Sequence, residues 1–189
     1  MKSIITLCIV ALLGLANNAQ AQSISNVDPS HSSITFSVGY LGISDVTGTF
    51  KAYEGRINTT KSDFTDAKIS FGVDVNSINT DVEARDNHLK SPDFFDVAKF
   101  PKMTFESTSF KKQGKDYILE GNMTIKGITK KVSFTVKYGG TAKDNYGNER
   151  VGLSLNGKIN RSDYGINGSQ GFVGEEVTFT LNLNFIKSK

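Results

Sequence analysis

The sequence predicts an all-β protein, an eight-stranded antiparallel barrel with a short helical insertion around residues 81–96. Three observations lead to this prediction. Apolar and polar residues alternate with period two in eight segments, turn-forming residues lie between these segments, and glycines recur inside the strand patterns. Because glycines inside strands usually mark bulges or tight bends, the strands should curve strongly, which suits a closed barrel better than a flat sheet.

The N-terminal segment is typical of a secretory signal peptide. Lys2 supplies a positive charge, residues 4–16 are apolar, and Ala19-Gln20-Ala21 has the small-residue pattern of a cleavage site. The apolar run is shorter than the roughly 20 residues that a membrane span needs. We therefore expect residues 1–21 to be removed by cleavage near Ala21, leaving a periplasmic or secreted protein.

Residues 22–189 are then expected to form a single domain without cysteine, since Cys8 is the only cysteine of the chain. A domain of this length is able to fold by core burial alone, without a disulfide. Removal of Lys2 lowers the net charge from +3 to +2, and the basic residues are scattered. This balance argues against nucleic acid as a partner.

The eight predicted strands each have one apolar face. In chain order, the apolar residues are Ile34, Phe36, Val38 and Tyr40; the weaker run Val46, Phe50, Tyr53 and Ile57; Ala67, Ile69, Phe71, Val73 and Val75; Met103 and Phe105; Tyr117, Leu119, Met123 and Ile125; Val132, Phe134, Val136 and Tyr138; Val151, Leu153, Leu155 and Ile159; and Val177, Phe179, Leu181, Leu183 and Phe185.

Turn residues lie between the later strands, at 113–115, 126–128, 144–148 and 171–175. Strands joined by such short turns are antiparallel neighbours. Five glycines fall inside or at the edges of strand patterns, where bulges or bends are expected: Gly48, Gly55, Gly72, Gly121 and Gly157. No linker or second composition regime interrupts the pattern, so one domain is the simplest interpretation.

One segment departs from the strand pattern. The spacing of apolar residues between Thr80 and Leu89 fits a short amphipathic helix better than a strand. Ser91 and Pro92 then predict a second helical turn, with Ser91 as its N-cap and Pro92 at its first position. Phe94 and Phe95 lie on that turn, and we expect them to face the apolar interior.

The residues offer little support for catalysis or for a metal centre. His31 and His88 are the only histidines, and no G-x-S-x-G motif is present. A metal would need His31, His88, Asp86 and Asp93 to converge, without any of the usual ligand spacings. We expect the two histidines to bond the local backbone and a nearby carboxylate, respectively. The sequence therefore predicts a protein that is not an enzyme, with no catalytic site, no metal site and no covalent cofactor.

Arg85 has two interpretations. Adjacent residues on a helix point about 100° apart, so Arg85 is not expected to pair with Asp86. A structural ion pair with Asp163 or Asp96 would fix the insertion to the barrel. Alternatively, Arg85 would lie at the barrel mouth and bind a phosphate or carboxylate head group. We favour the structural role, because an unpaired arginine beside an apolar opening is costly.

The interior of an eight-stranded barrel is either filled by side chains or holds one small apolar ligand. A cavity of several hundred Å³ would favour binding, and a packed core would favour a partner on the outer surface. We predict that the following residues line the barrel and its insertion: Phe36, Val38, Tyr40, Phe50, Phe71, Val73, Phe94, Phe95, Phe105, Met123, Phe134, Val136, Leu153, Leu155, Phe179 and Leu181.

Four motifs resemble the YceI-like family of exported polyisoprenoid-binding proteins. They occur at Val27–Val38, Ser77–Thr108, Gly121–Phe134 and Ile159–Ile166, in the family's order and over nearly all of residues 22–189. The resemblance implies a lipocalin-like antiparallel barrel whose tunnel accommodates a long apolar chain. It also implies functional or structural roles for six residues that fix the insertion or meet a ligand head group: His31, Arg85, Asp86, His88, Arg161 and Asp163.

The function expected from this resemblance is to carry or sequester a long-chain apolar lipid, which is a polyisoprenoid, an isoprenoid quinone or a fatty-acid-like molecule. The alternative is an envelope stress or structural protein with a filled barrel and a protein partner. Transient contact with a membrane and a homodimer that covers exposed strand edges are further expectations. The identity of the lipid is left open.

Overall fold

The computed structural model describes residues 23–188, so the predicted signal peptide and cleavage site lie outside the described residues. The chain forms one short helix, α1 (Glu83–Lys90), and eleven strands. The strands are β1 (Ser23–Val27), β2 (Ser33–Tyr40), β3 (Ser44–Phe50), β4 (Tyr53–Thr59), β5 (Lys68–Asp74), β6 (Ile78–Asn79), β7 (Lys102–Gln113), β8 (Asp116–Ile125), β9 (Ile128–Lys143), β10 (Glu149–Asn160) and β11 (Val173–Lys187).

Eight of these strands close into an antiparallel barrel, which confirms the predicted fold. The order around the barrel is β1-β4-β5-β7-β8-β9-β10-β11, and β11 pairs with β1 to complete the ring. Strands β2 and β3 lengthen the wall, because β2 pairs with the first part of β11 and β3 pairs with β2. The two-residue strand β6 adds to the outer edge of β3.

The wall is interrupted in two neighbouring places. A 3₁₀ turn at Pro29–His31 separates β1 from β2, and Lys51 and Ala52 separate β3 from β4. The single weak strand predicted through Val46 and Ile57 is therefore two strands. Beyond these breaks, β1 pairs with β4 while β2 pairs with β3, so the wall continues on both sides.

Strand β1 was not predicted, because its burial runs against its hydrophobicity. Ser25 is buried, whereas Ile24 is exposed. The inward face of β1 is therefore not apolar, and the alternation of apolar and polar residues did not identify this segment as a strand. Of the five glycines predicted to mark bulges or bends, Gly121 lies opposite a register shift, the one between Ser107 and Ser109. The other two shifts, between Gly152 and Leu153 and between Val173 and Val177, lie away from the predicted glycines.

The buried apolar residues form two clusters. One is formed by residues of the barrel strands, and its most buried members are Ile57, Leu119, Val136 and Phe185. The other lies beneath the helical insertion and is made by Ile34, Phe50, Val73, Val75, Ile78, Phe94, Met103, Ile125, Tyr164 and Ile166. Within residues 23–188, the structure has no helix long and apolar enough to span a membrane.

Candidate functional site

Two apolar chambers lie in the barrel interior. The inner chamber has a volume of about 70 Å³ and is lined by Ile69, Leu119 and Phe134 among others. The flap chamber has a volume of about 80 Å³ and lies beneath residues 81–96, which we call the flap. Four residues line both chambers and form a waist between them: Phe50, Met103, Ile125 and Phe179.

The chamber walls are almost entirely apolar. Thr104 is the only polar residue lining the inner chamber, and Arg161 is the only one lining the flap chamber. Several lining residues keep accessible surface although they face inward: Phe36, Phe71, Met123, Phe179 and Leu181 are half-buried. Both volumes fall below the several hundred Å³ expected of an open ligand tunnel. A long chain can therefore enter only if the flap or the lining side chains move.

Most residues predicted to line the interior do line one of the chambers. Three do not. Tyr40 is 41% exposed at the end of β2, because it precedes the turn to β3. Val136 and Leu153 are buried in the same core cluster as the inner-chamber residues Phe134 and Leu155, but they line neither chamber.

The structure adds lining residues that the site prediction omitted. They are Ile34, Ile69, Ile78, Leu89, Met103, Thr104, Leu119, Ile125, Ile159, Arg161 as a wall residue, Ile166, Val173, Val177 and Leu183. Several of these, including Ile34 and Ile125, have the correct period-two phase. The sequence could have identified them if the whole inward face had been counted instead of its largest residues.

A compact polar cluster fixes the start of the flap. Asp86 is buried, and its carboxylate accepts hydrogen bonds from the backbone N–H of Thr80 at 2.9 Å and from the Thr80 hydroxyl at 2.6 Å. Arg85 donates to the Thr80 hydroxyl oxygen and to the Thr80 carbonyl, both at 2.7 Å. Thr80 therefore bridges the two adjacent charged residues, which do not pair directly.

The structure corrects two predictions for the flap. The partner of Arg85 is Thr80, not Asp163 or Asp96, because the side chain folds back along its own segment. After α1 the chain makes consecutive hydrogen-bonded turns but no second helix, and Ser91 does not cap them with its side chain, because its hydroxyl is buried without a hydrogen-bond partner. The Ser91 carbonyl instead accepts from the N–H groups of Phe94 and Asp96.

Phe94 and Phe95 both face the flap chamber. Phe94 is buried; its ring contacts His88 edge-on, with centroids 5.0 Å apart, and lies across Gly168. The ring of Phe95 meets the waist residue Phe50 edge-on at 6.4 Å. Aromatic edge contacts of this kind add to the free energy of burial. The two rings therefore form the underside of the flap.

Arg161 holds the loop on which Phe94 rests. It is buried, and its guanidinium uses five donated bonds, to the carbonyls of Ile166, Gly168, Val173 and Gly174 and to the Glu175 carboxylate. A guanidinium has five N–H donors, so none is left for a ligand head group. In this structure Arg161 therefore holds the loop in position.

Two contacts complete the support of the flap. Lys126 donates to the carbonyl of Pro92 at 3.0 Å and to that of Gly165 at 3.2 Å, which ties the flap to the loop. Asp163 is exposed and makes no side-chain hydrogen bond or ion pair within residues 23–188. Its charge acts on the neighbouring Tyr164: burial first, and then Asp163, raises the pKa of this tyrosine to about 12.

His31 and His88 lie in separate surroundings. His88 bonds Asp93 at 3.3 Å within the flap, as expected. His31 bonds the Asp28 carboxylate at 2.7 Å in the turn after β1, where a backbone partner was expected and no flap residue takes part. Arg150 also bonds Asp28 at 2.7 Å and, together with His31, lowers the pKa of that carboxyl to about 2.

The described residues do not gather histidine, cysteine and acidic side chains in groups of three or more that could hold a metal ion. The two buried carboxylates of the flap are both engaged: Asp86 is bonded twice by Thr80, and Asp96 pairs with Lys99 at 3.2 Å. The arrangement offers apolar space and no convergent reactive groups. Its chemistry is therefore suited to enclosing an apolar molecule.

Comparison with known proteins places this geometry in a family. The model of the YceI-like domain matches residues 26–185. Protein YceI of Salmonella arizonae is 32% identical over 189 residues, which is 100% of this chain and 99% of the relative.

Solved structures agree with this result. The YCEI protein of Campylobacter jejuni shares 30% identity and a TM-score of 0.69, over 78% of this chain and 88% of its own. A polyisoprenoid-binding domain from Saccharophagus degradans has the same fold, with a TM-score of 0.66 and 15% identity over 89% of this chain and 100% of its own. On these grounds, the chain belongs to the YceI-like family.

Proposed function

We propose that this protein binds a long-chain apolar lipid in its barrel interior, and that it carries, stores or sequesters this lipid without catalysing a reaction. The observation that carries the proposal is the pair of adjacent chambers, which share four lining residues, have apolar walls and are lined in part by side chains that are not fully buried. Apolar walls stabilise a hydrocarbon chain in proportion to the surface that the chain buries. The likeness to a polyisoprenoid-binding domain supports the same ligand class.

The small volumes bear on how the ligand would enter. Together the chambers hold only a short piece of a chain, so binding requires lining side chains to move aside. Phe94 and Phe95 are suitable, because their rings form the underside of the flap and line the flap chamber. The head group would remain outside, since the one cation of the wall, Arg161, has no free donor.

We also propose that residues 1–21 direct export, so that the protein binds its lipid in the cell envelope or outside the cell. The alternative, a filled barrel that binds a protein partner through its outer surface, is favoured by the small chamber volumes. It is disfavoured by the half-buried side chains of Met123, Phe179 and Leu181, which line the interior chambers, since a filled core would bury them fully.

Displacement of a dye that fluoresces in apolar surroundings tests the proposal. A polyprenyl phosphate, an isoprenoid quinone and a saturated fatty acid are each titrated against the protein with bound dye. We expect at least one lipid to displace the dye. Phe95→Ala, alone or with Phe94→Ala, should lower the affinity for that lipid by about tenfold, because the ring's apolar contact is lost.

The matched control is Phe172→Ala. Phe172 is 61% exposed on the neighbouring loop and lines neither chamber, so this variant should bind as the unmodified protein does. Phe95→Ala is the safer test variant for folding, because Phe95 is half-buried whereas Phe94 is fully buried. Failure of all three lipids to displace the dye would favour the filled barrel.

A further inference from the structure

Four phenylalanine rings of the chamber walls lie across glycines of a neighbouring strand. Phe36 is opposite Gly48, Phe71 is opposite Gly55, and Phe134 is opposite Gly157 in their antiparallel ladders. Phe105 lies across Gly121 in the same way. A methyl group at any of these glycines would overlap the ring that covers it.

The four pairs are distributed around the barrel. They lie on β2 with β3, β4 with β5, β7 with β8, and β9 with β10, so they occupy alternate seams of the wall. The rings of Phe71, Phe105 and Phe134 line the inner chamber, and that of Phe36 lines the flap chamber. The same arrangement therefore recurs in four separate seams of the wall.

A ring that occupies the space above a glycine lies against the wall instead of projecting toward the barrel axis. The missing side chain of the glycine is what makes this position available. Any side chain at the glycine would force the ring to rotate inward, into a chamber of only about 70 Å³. The glycines thus keep open the space that the phenylalanines would otherwise fill.

We infer that these four glycine–phenylalanine pairs set the width of the lumen and are the positions that determine which lipid chains it accepts. The inference rests on the proposed function and adds to it the residues that control specificity. A methyl-branched isoprenoid chain is wider than a linear acyl chain. If one ring is displaced into the inner chamber, the narrower chamber should lose affinity for the branched chain more than for the linear chain.

Gly55 and Gly157 are the best positions for a test. At each of them the three atoms nearest to an added methyl group all belong to the covering ring. Gly121 would also meet the backbone of Glu106, and Gly48 would meet Thr80. Neither Gly55 nor Gly157 has a positive φ, so the backbone accepts alanine at both.

The experiment measures the affinity of Gly157→Ala for a polyprenyl phosphate and for palmitic acid by dye displacement. We expect about a tenfold loss for the branched lipid, the size of effect that one methyl group has in an apolar pocket, and less than about a twofold loss for the linear acid. Gly55→Ala, in another seam of the wall, is expected to show the same selective loss of affinity for the branched lipid. Adding Phe134→Leu to Gly157→Ala should restore binding, because the displaced ring is removed.

Gly152→Ala is the matched control on the same strand, since the nearest atom to its added methyl group is 3.9 Å away. If Gly157→Ala and Gly55→Ala both bind the branched lipid as Gly152→Ala does, the inference is wrong while the proposed function stands. If the unmodified protein binds neither lipid, the proposed function itself fails. Thermal unfolding of each variant separates lost binding from lost folding.

Discussion

Replacing Thr80 by valine should loosen the flap while the barrel stays folded. Valine has nearly the shape of threonine but lacks the hydroxyl, which bonds Asp86 at 2.6 Å and accepts from Arg85 at 2.7 Å. Hydrogen bonds to charged groups contribute about 1.5–3 kcal/mol each. Asp86 keeps the backbone N–H of residue 80, and Arg85 keeps the carbonyl. We therefore expect the two lost bonds to lower the free energy of flap opening by about 3–6 kcal/mol.

Hydrogen exchange measures this loss where it occurs. The amides of α1 should exchange at least 100-fold faster in Thr80→Val, because about 1.4 kcal/mol corresponds to a factor of ten. The amides of β9 and β10, on the far side of the wall, should change far less.

Thr80→Ser is the matched control. It keeps the hydroxyl and loses one methyl group, worth about 0.8 kcal/mol. Equal exchange of α1 in the valine variant and the unmodified protein would refute the role of the Thr80 cluster. So would equal acceleration in the serine and valine variants.

Two further predictions concern ionisation. Bonds from Arg150 and His31 lower the pKa of Asp28 to about 2, so this carboxylate stabilises the fold fully above its ordinary pKa of 3.8 and loses that contribution as the pH falls through 2. Urea unfolding should find Asp28→Asn less stable at pH 7 and equal to the unmodified protein near pH 2; a constant difference would contradict the assignment. Burial raises the pKa of Tyr164 to about 12, so stability should fall between pH 10 and 12, and Tyr164→Phe should remove this alkaline loss. The variant should be at least as stable at pH 7, because the buried hydroxyl has no hydrogen-bond partner; marked destabilisation would indicate a missed partner.

The sequence predicted the barrel because its strands repeat one strong signal. Alternation with period two survives wherever one face is buried, as in β11, where Leu183 and Phe185 are buried and Asn182 is exposed. The signal failed for β1, where a serine faces inward and an isoleucine faces outward. Local turn chemistry likewise predicted the hairpins but not the irregular turns after α1, which Phe94 and Asp96 close through the backbone of Ser91.

The candidate site was predictable in its apolar part and not in its polar part. Which inward residues line space and which fill it depends on packing across the barrel, so Val136 and Leu153 could not be distinguished from Leu155 by pattern. The bond from Arg85 to Thr80 depends on how one side chain folds back. The five bonds of Arg161 depend on a loop conformation that no spacing reveals.

The glycines show most clearly what pattern alone leaves out. Gly55 and Gly157 look like positions for bulges, yet both lie in regular ladders beneath aromatic rings. Their role depends on the residue of the neighbouring strand, which is distant in sequence. Cross-strand pairing therefore has to be known before an interior glycine can be interpreted.

Native mass spectrometry of the protein purified from its native source, followed by organic extraction of whatever is bound, tests the central claim most directly. The account predicts one isoprenoid or other long-chain lipid per chain. A mass equal to that of the bare polypeptide, unchanged after incubation with a quinone and a polyprenyl phosphate, would contradict it.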